Sequence, residues 1–313
     1  MKNGHSASRR RVLAMMGGAA GIMLTGTHRG AARAASPAPL LRRPIPRSGE
    51  QLPAVGLGTY RSFDIGANRS AREPVAEVLR RFVELGGRVI DSSPMYGHAE
   101  SVVGELAAEL GVEDRLFHAT KVWTRGAAAG IAQMEASFKR MRVEQMDLMQ
   151  VQNLLDLETH YPTLRAWQDE GRIRYIGVTH YQAGAHEALE RLVRSGDFDF
   201  VQVNYSIAER EAENRLLPLA RDHGVAVLVN RPFAQAGLFA RVRGVDLPAW
   251  AGEFDCRSWG QFFLKYILAH PAVTSAIPAT SNPVHLEDNM AAGTGRLPDE
   301  STRRRMAEFV ANL

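Results

Sequence analysis

The chain has 313 residues, 45% of them hydrophobic, enough for a sizeable core in one large domain or two small ones. Its formal net charge is +4, but Lys2, Arg9, Arg10, Arg11, Arg29 and Arg33 crowd the first 35 residues with no acid among them, so the remainder is close to neutral. No basic stripe interleaved with aromatics is present, which argues against a nucleic-acid partner, and a single cysteine, Cys256, excludes an intrachain disulfide or a cysteine-built metal site.

The ten histidines lack ligand spacing on any helical stretch, so no metal is expected. The basic leader has its own layout. "SRRRVL" puts a twin arginine before a modest apolar run, and "AARAAS" supplies an A-x-A-like cleavage site. Residues 1–35 therefore read as a twin-arginine export signal. That implies the export machinery as a partner and a periplasmic destination for the folded protein. The run is too short and glycine-rich for a confident membrane span, so membrane attachment is expected only through an uncleaved signal.

Residues 36–313 read as one domain. "LLRRPIPRSGEQLPAVGLGTY" predicts a hairpin turning at Ser48-Gly49 and then a strand. Strand and helix patterns then alternate strictly. The strands are "VGLG", "RVID", "LFHATKV", "MDLMQVQ", "IRYIGVTH", "FDFVQVNYS", "VAVLVN" and "VTSAIP". The helices include "REPVAEVLRRFVELG" from residue 72, "AESVVGELAAELG", and a single helix over "REAENRLLPLARDHG". The stretch "FARVRGVDLPAWAGEFDCRSW" reads as irregular and covers the expected pocket. "NPVHLEDNM" and "DESTRRRMAEFVANL" close the chain as helices. Eight strands with helical crossovers predict an α/β fold, a (β/α)8 TIM barrel with an N-terminal β-hairpin and C-terminal helices. An open doubly wound sheet is the runner-up. No G-x-G-x-x-G follows the first strand, which counts against its dinucleotide-binding form.

A barrel places its chemistry at the C-terminal ends of its strands. Those ends carry Thr59 and Tyr60, Asp91 with Tyr96 just beyond, Lys121, Gln152, Thr179 and His180, Gln202 with Asn204 and Tyr205, Asn230 and Arg231, and "IPATSN". Singly, each has an ordinary structural role as a cap, a solvent-edge charge or a packing ring. Together, an Asp, a Lys and a Tyr at one mouth form a proton-transfer unit. A Lys121 ammonium beside Tyr96 favours phenolate and is expected to lower the Tyr pKa from ~10 toward working pH. Asp91 would hold Lys121 charged, and Tyr96 would be a general acid for a carbonyl oxygen receiving hydride. Gln150 and Gln152 sit two apart on one strand and so share a face.

The stretch from Asp91 to Glu100, whose core reads "SPMYGHAE", is followed by "TKVW", "MDLMQVQNLLD", "IRYIGVTHY", "FVQVNYS" and "IPATSNPVHLEDN". With these pieces in this order, the chain resembles the aldo-keto reductase family over nearly its whole length after the leader. The resemblance implies a (β/α)8 barrel, a nicotinamide cofactor held without a Rossmann motif, and reduction of a small aldehyde or ketone. It matches Tyr96 to the general acid, Lys121 to its partner and Asp91 to the paired carboxylate. It also assigns Thr179, His180 and Gln202 to the nicotinamide carboxamide, and Thr280 and Asn289 to polar cofactor contacts. Thr59, Asn230 and Arg231 complete the expected cofactor set, and Tyr60, Phe63 and Trp123 the expected substrate lining.

Three departures stand out. Gln152 occupies the place of the family's substrate-orienting histidine. An amide can donate a hydrogen bond but cannot carry a proton. Asn230 stands where many members place a ring under the nicotinamide. Ala279 and His285 stand where a Lys and an Arg usually meet the 2′-phosphate, which weakens the preference for NADP(H); it stays the expected cofactor, with NAD(H) possible. Besides the reductase reading, these departures leave open a nicotinamide-binding barrel with little or altered catalysis, used as a sensor or partner module.

Overall fold

The computed structural model describes residues 39–66 and 68–313; the leader read as an export signal lies outside the described residues. The described chain opens on an antiparallel hairpin, β1 (Arg42–Pro44) and β2 (Gln51–Pro53), with Arg43 opposite Leu52. Eight strands follow, β3 (Leu57–Gly58), β4 (Val89–Asp91), β5 (Phe117–Val122), β6 (Met146–Gln152), β7 (Ile173–His180), β8 (Phe200–Asn204), β9 (Ala226–Asn230) and β10 (Ser275–Ala276). They lie side by side in chain order, all parallel. Parallel bridges between Val55 and Ala276 and between Gly58 and Ala279 close the ring. Closure brings backbones into contact: the Gly56 N–H donates to the Ala276 carbonyl at 2.8 Å. A Cβ on Gly58 would lie 2.7 Å from the Ile277 carbonyl oxygen, so only glycine permits this approach. The barrel reading holds, and the open sheet does not.

Helices cover the outside: α1 (Arg69–Glu84), α2 (Ala99–Leu110), α3 (Ala127–Met141), α4 (Leu157–Asp169), α5 (His186–Ser195), α6 (Leu216–Asp222), α7 (Gly237–Arg241), α8 (Trp259–Leu268), α9 (Pro283–Ala291) and α10 (Glu300–Ala311). Two depart from the sequence reading for clear reasons. α1 starts three residues early because the Asn68 side chain accepts from the Ser70 and Ala71 N–H groups. The single helix expected over 210–224 is a 3-10 turn (Glu211–Glu213) followed by α6. Pro218 fits a first helical turn, but its ring would clash with the Asn214 carbonyl of a continuous helix. The expected irregular stretch after β9 contains α7 and a 3-10 turn (Ala249–Phe254) whose Ala251 and Phe254 are buried. No helix among the described residues is long and apolar enough to cross a membrane.

The core has two layers. Strand residues and the helices' apolar faces form the outer one. The inner one fills the barrel with Val89, Phe117, Ala119, Leu148, Tyr175, Phe200, Ala226, Leu228 and Ile277, joined by Ile45 and Leu52 of the hairpin. Phe117, Tyr175 and Phe200 meet with centroids 5.6–6.0 Å apart. The hairpin thus plugs the N-terminal end of the barrel. The Tyr175 hydroxyl bonds Ser48 at 2.8 Å, and Glu50 pairs with Arg174 and Arg88. Among the described residues, the hairpin covers this end and leaves the C-terminal end as the mouth.

Outer packing has a sharp test at Gly104 of α2. A Cβ there would sit 2.2 Å from the Arg140 carbonyl oxygen of α3. Gly104→Ala is expected to destabilise by about 1–3 kcal/mol, read as a lower urea midpoint with native circular dichroism.

Candidate functional site

The centre of the open end is a buried ion pair. Asp91 ends β4 and Lys121 lies near the end of β5, the adjacent strand. Lys121 Nζ donates to Asp91 Oδ1 at 2.9 Å, to Oδ2 at 2.8 Å and to the Ser92 carbonyl at 2.6 Å, so all three ammonium protons are used. Both side chains are 3% exposed. Burial alone would push the Lys121 pKa down, but Asp91 overrides it and holds the pKa above its ordinary value.

Tyr96 lies over this pair, with Lys121 Nζ 5.4 Å from its ring centroid. Its hydroxyl makes no hydrogen bond among the described residues, and its ring meets Tyr60 at 5.0 Å. Here one sequence expectation is corrected. Lys121 does pull the Tyr96 pKa down, but burial pushes it up by more, so the phenol sits above its ordinary value. Tyr96 is thus held protonated, the form that donates.

The two glutamines of β6 both face the barrel interior. Gln150 is fully buried, pairs in register with Lys121, and sends its amide to Asp91 Oδ1 at 3.3 Å. One layer higher, Gln152 is in register with Thr179, and Thr179 with Gln202. Gln152 Oε1 accepts from the Ser93 hydroxyl at 2.6 Å, and its amide nitrogen reaches the Met95 sulfur. Thr59 is fully buried and donates to the Asp91 carbonyl at 3.0 Å, tying β3 to the turn after β4.

The β7–β9 side differs in character. Gln202 Oε1, Asn204 Oδ1 and Asn230 Oδ1 are buried with no hydrogen-bond partner among the described residues. Orphaned buried acceptors are costly, at about 1–3 kcal/mol each, which makes this group a candidate for contact with a ligand carrying N–H donors. His180 is half-buried and accepts from the Gln182 N–H at 3.1 Å; burial lowers its pKa and keeps it neutral. Arg231 stacks over Tyr181 at 4.6 Å and forms no ion pair among the described residues. Thr280 and Asn289 are buried at the β10–α9 corner, where Asn282 caps α9.

Backbone strain gathers at the same end. Eight of the ten non-glycine residues with left-handed backbone among the described residues follow strands there: Arg61, Asn153, Leu154, Asp156, Arg231, Ala234, Gln235 and Ala236. Each such conformation costs on the order of 1–3 kcal/mol unless the surroundings enforce it, and strain of this kind concentrates where a fold positions ligand-facing groups.

Among the expected substrate-lining residues, Tyr60 and Trp123 are 45% and 39% exposed at the rim. Phe63 is a correction: it is fully buried and packs in the outer core, where an apolar ring is removed from water. Tyr205 also leaves the mouth. Its hydroxyl, that of Tyr266 and the Arg303 guanidinium converge on Glu213 in the helical layer. Ser93, Met95 and Tyr181 escaped the sequence reading. Ser93 had a usable signal, since it lies two residues beyond Asp91 in an extended turn. Among the described residues no group of three or more His, Cys, Asp or Glu is placed to hold a metal ion.

Comparison with known proteins agrees with this geometry. Residues 54–307 match the model of the aldo/keto reductase family. The methylglyoxal reductase YeaE of Escherichia coli (strain K12) is 31% identical over 250 residues, covering 77% of this chain and 85% of that protein. An NADH-specific methylglyoxal reductase of the same organism is 27% identical over 194 residues, 53% of this chain but only 58% of the relative. An aldo/keto reductase from Klebsiella pneumoniae, solved in complex with NADP and acetate, superimposes with a TM-score of 0.70 at 28% identity, over 84% of this chain and 93% of that one. With its parallel eight-stranded barrel and a family match over most of its length, this chain belongs to the aldo/keto reductase family.

Proposed function

We propose that the protein reduces a small aldehyde or ketone to an alcohol with NADP(H), NAD(H) being the second cofactor to test. The observation that carries this reading is the Tyr96 ring lying over the desolvated Asp91–Lys121 pair, its hydroxyl without a hydrogen-bond partner among the described residues. A nicotinamide held there would supply hydride to the carbonyl carbon. Tyr96, held protonated by burial, donates its proton to the carbonyl oxygen. Lys121 stabilises the phenolate left behind, and Asp91 keeps Lys121 charged and fixed. Gln152 orients the carbonyl through its amide N–H and moves no proton.

The residues present fit the cofactor. The orphaned acceptors on Gln202, Asn204 and Asn230 suit the N–H donors of a carboxamide, with Thr179 and His180 beside them. Thr59, Thr280 and Asn289 complete the polar wall. Arg231, with no carboxylate partner among the described residues, would meet a phosphate, in a chain that has Ala279 and His285 at the tail. Tyr60 and Trp123 would flank the substrate. The relatives that act on methylglyoxal make a small 2-oxoaldehyde the first substrate to try. The twin-arginine pattern of residues 1–35 supports export of the folded protein to the periplasm, with an uncleaved leader as its membrane attachment.

The test is NADPH and NADH oxidation by the protein with methylglyoxal and a panel of small aldehydes and ketones, beside Gln152→His. Turnover by the native protein, changed less than about tenfold by the histidine, is the expected result. Turnover by the histidine variant alone would favour the cofactor-binding module, a reading prompted by the Gln152 amide being engaged by Ser93 and Met95.

A further inference from the structure

We propose that Ser93 is a positioning residue that sets the Gln152 amide in one orientation, NH2 toward the rim, so that Gln152 serves solely as a hydrogen-bond donor to a carbonyl oxygen. This rests on the carbonyl-reducing reading above. A neutral amide has an acceptor end and a donor end of nearly equal size, and a glutamine at a mouth can present either. Here the neighbours decide. Ser93 is fully buried, and its oxygen accepts from the Met95 backbone N–H at 3.3 Å. That uses one of its two lone pairs, and its single proton goes to Gln152 Oε1 at 2.6 Å. The NH2 end is left on the other side, against the Met95 sulfur.

Turning the amide over would bring its oxygen against the sulfur, acceptor facing acceptor, and its NH2 against the Ser93 hydroxyl. The sulfur contact would turn repulsive, and the Ser93 proton would lose Gln152 Oε1 as its acceptor even if the serine oxygen took the NH2 on its remaining lone pair. Met95 is 40% exposed at the rim, and a thioether is a weak acceptor. A carbonyl oxygen is a better one and displaces it without any reorientation of the amide. The serine is itself fixed by the ion pair, because Lys121 donates to the carbonyl of Ser92. Ser92, by contrast, is committed to Thr59, whose hydroxyl lies 3.0 Å away. Two adjacent serines therefore do different work, one closing the wall and one orienting the amide.

The experiment is a double-mutant cycle of Ser93→Ala and Gln152→Ala, with Ser93→Thr as the conservative control. It is read by kcat and KM, by NADPH dissociation constant, and by the Gln152 side-chain amide signals in nitrogen-15 spectra, assigned by their loss in Gln152→Ala. Ser93→Ala is expected to lower kcat/KM about fivefold to tenfold with NADPH binding unchanged, to cost less than twofold in the Gln152→Ala background, and to be restored by Ser93→Thr. The two amide protons should be well separated in the native protein and should converge in Ser93→Ala. Equal losses in both backgrounds, or amide signals that ignore Ser93→Ala, would overturn the proposal. A native protein with no turnover would sink the reductase reading instead, and the amide signals would still decide the role of Ser93.

Discussion

Replacing Tyr96 with phenylalanine should lower kcat for carbonyl reduction by about 10²–10⁴ while leaving the unfolding midpoint almost unchanged. The hydroxyl has no partner among the described residues, so its removal breaks no native hydrogen bond, and the ring contact with Tyr60 survives. Retained NADPH affinity would place the loss in proton donation. The pH profile of the native protein carries the same argument. Reduction uses the protonated phenol, which is present below its pKa and lost as pH rises through it. Burial holds that pKa above the ordinary ~10. The rate should therefore stay level across neutral pH and fall only in strong alkali. A fall centred below pH 8 in the profile, absent from a substrate-independent stability control, would mean that Lys121 outweighs burial after all.

The second large effect concerns stability. Lys121→Met leaves the Asp91 carboxylate desolvated, with only the Gln150 amide as a side-chain donor, at 3.3 Å. Removing one partner of a buried pair typically costs about 3–5 kcal/mol. Urea unfolding should show a loss of that size, and turnover should disappear with it. Adding Asp91→Asn should restore a large part of the stability and none of the activity. Recovery of both would show that the pair serves packing alone, whereas a single-variant cost below about 1 kcal/mol would mean that water reaches the carboxylate.

The fold was legible because the signal is repeated. Eight apolar strands and their amphipathic helices each report the same architecture, so errors in one unit do not change the answer. The missed details are those with no periodic signal. The break before α6 depends on where one proline falls relative to a carbonyl four residues earlier. The burial of Phe63 depends on the direction of a turn, which composition does not encode. Asp91, Tyr96 and Lys121 could be placed at one end from strand boundaries alone. The balance of forces on Tyr96 could not, because the charge of Lys121 is written in the sequence whereas the depth of the ring is a property of the assembled barrel. For the same reason Gln152 could be singled out by position, but its Ser93 and Met95 partners emerge only when the turn after β4 folds back over β6.

Ring closure between residues 55–58 and 276–279 bears on how the molecule comes into being. On an unstructured chain, joining points roughly 220 residues apart has a length-dependent entropic cost of about 5 kcal/mol. Once the intervening units have stacked, the remaining gap is short and that cost has already been met. Closure therefore cannot precede the synthesis of β10, whose residues supply the partner of Val55. A fragment ending before β10 lacks the strand that completes the rim, so it is expected to capture ligand poorly.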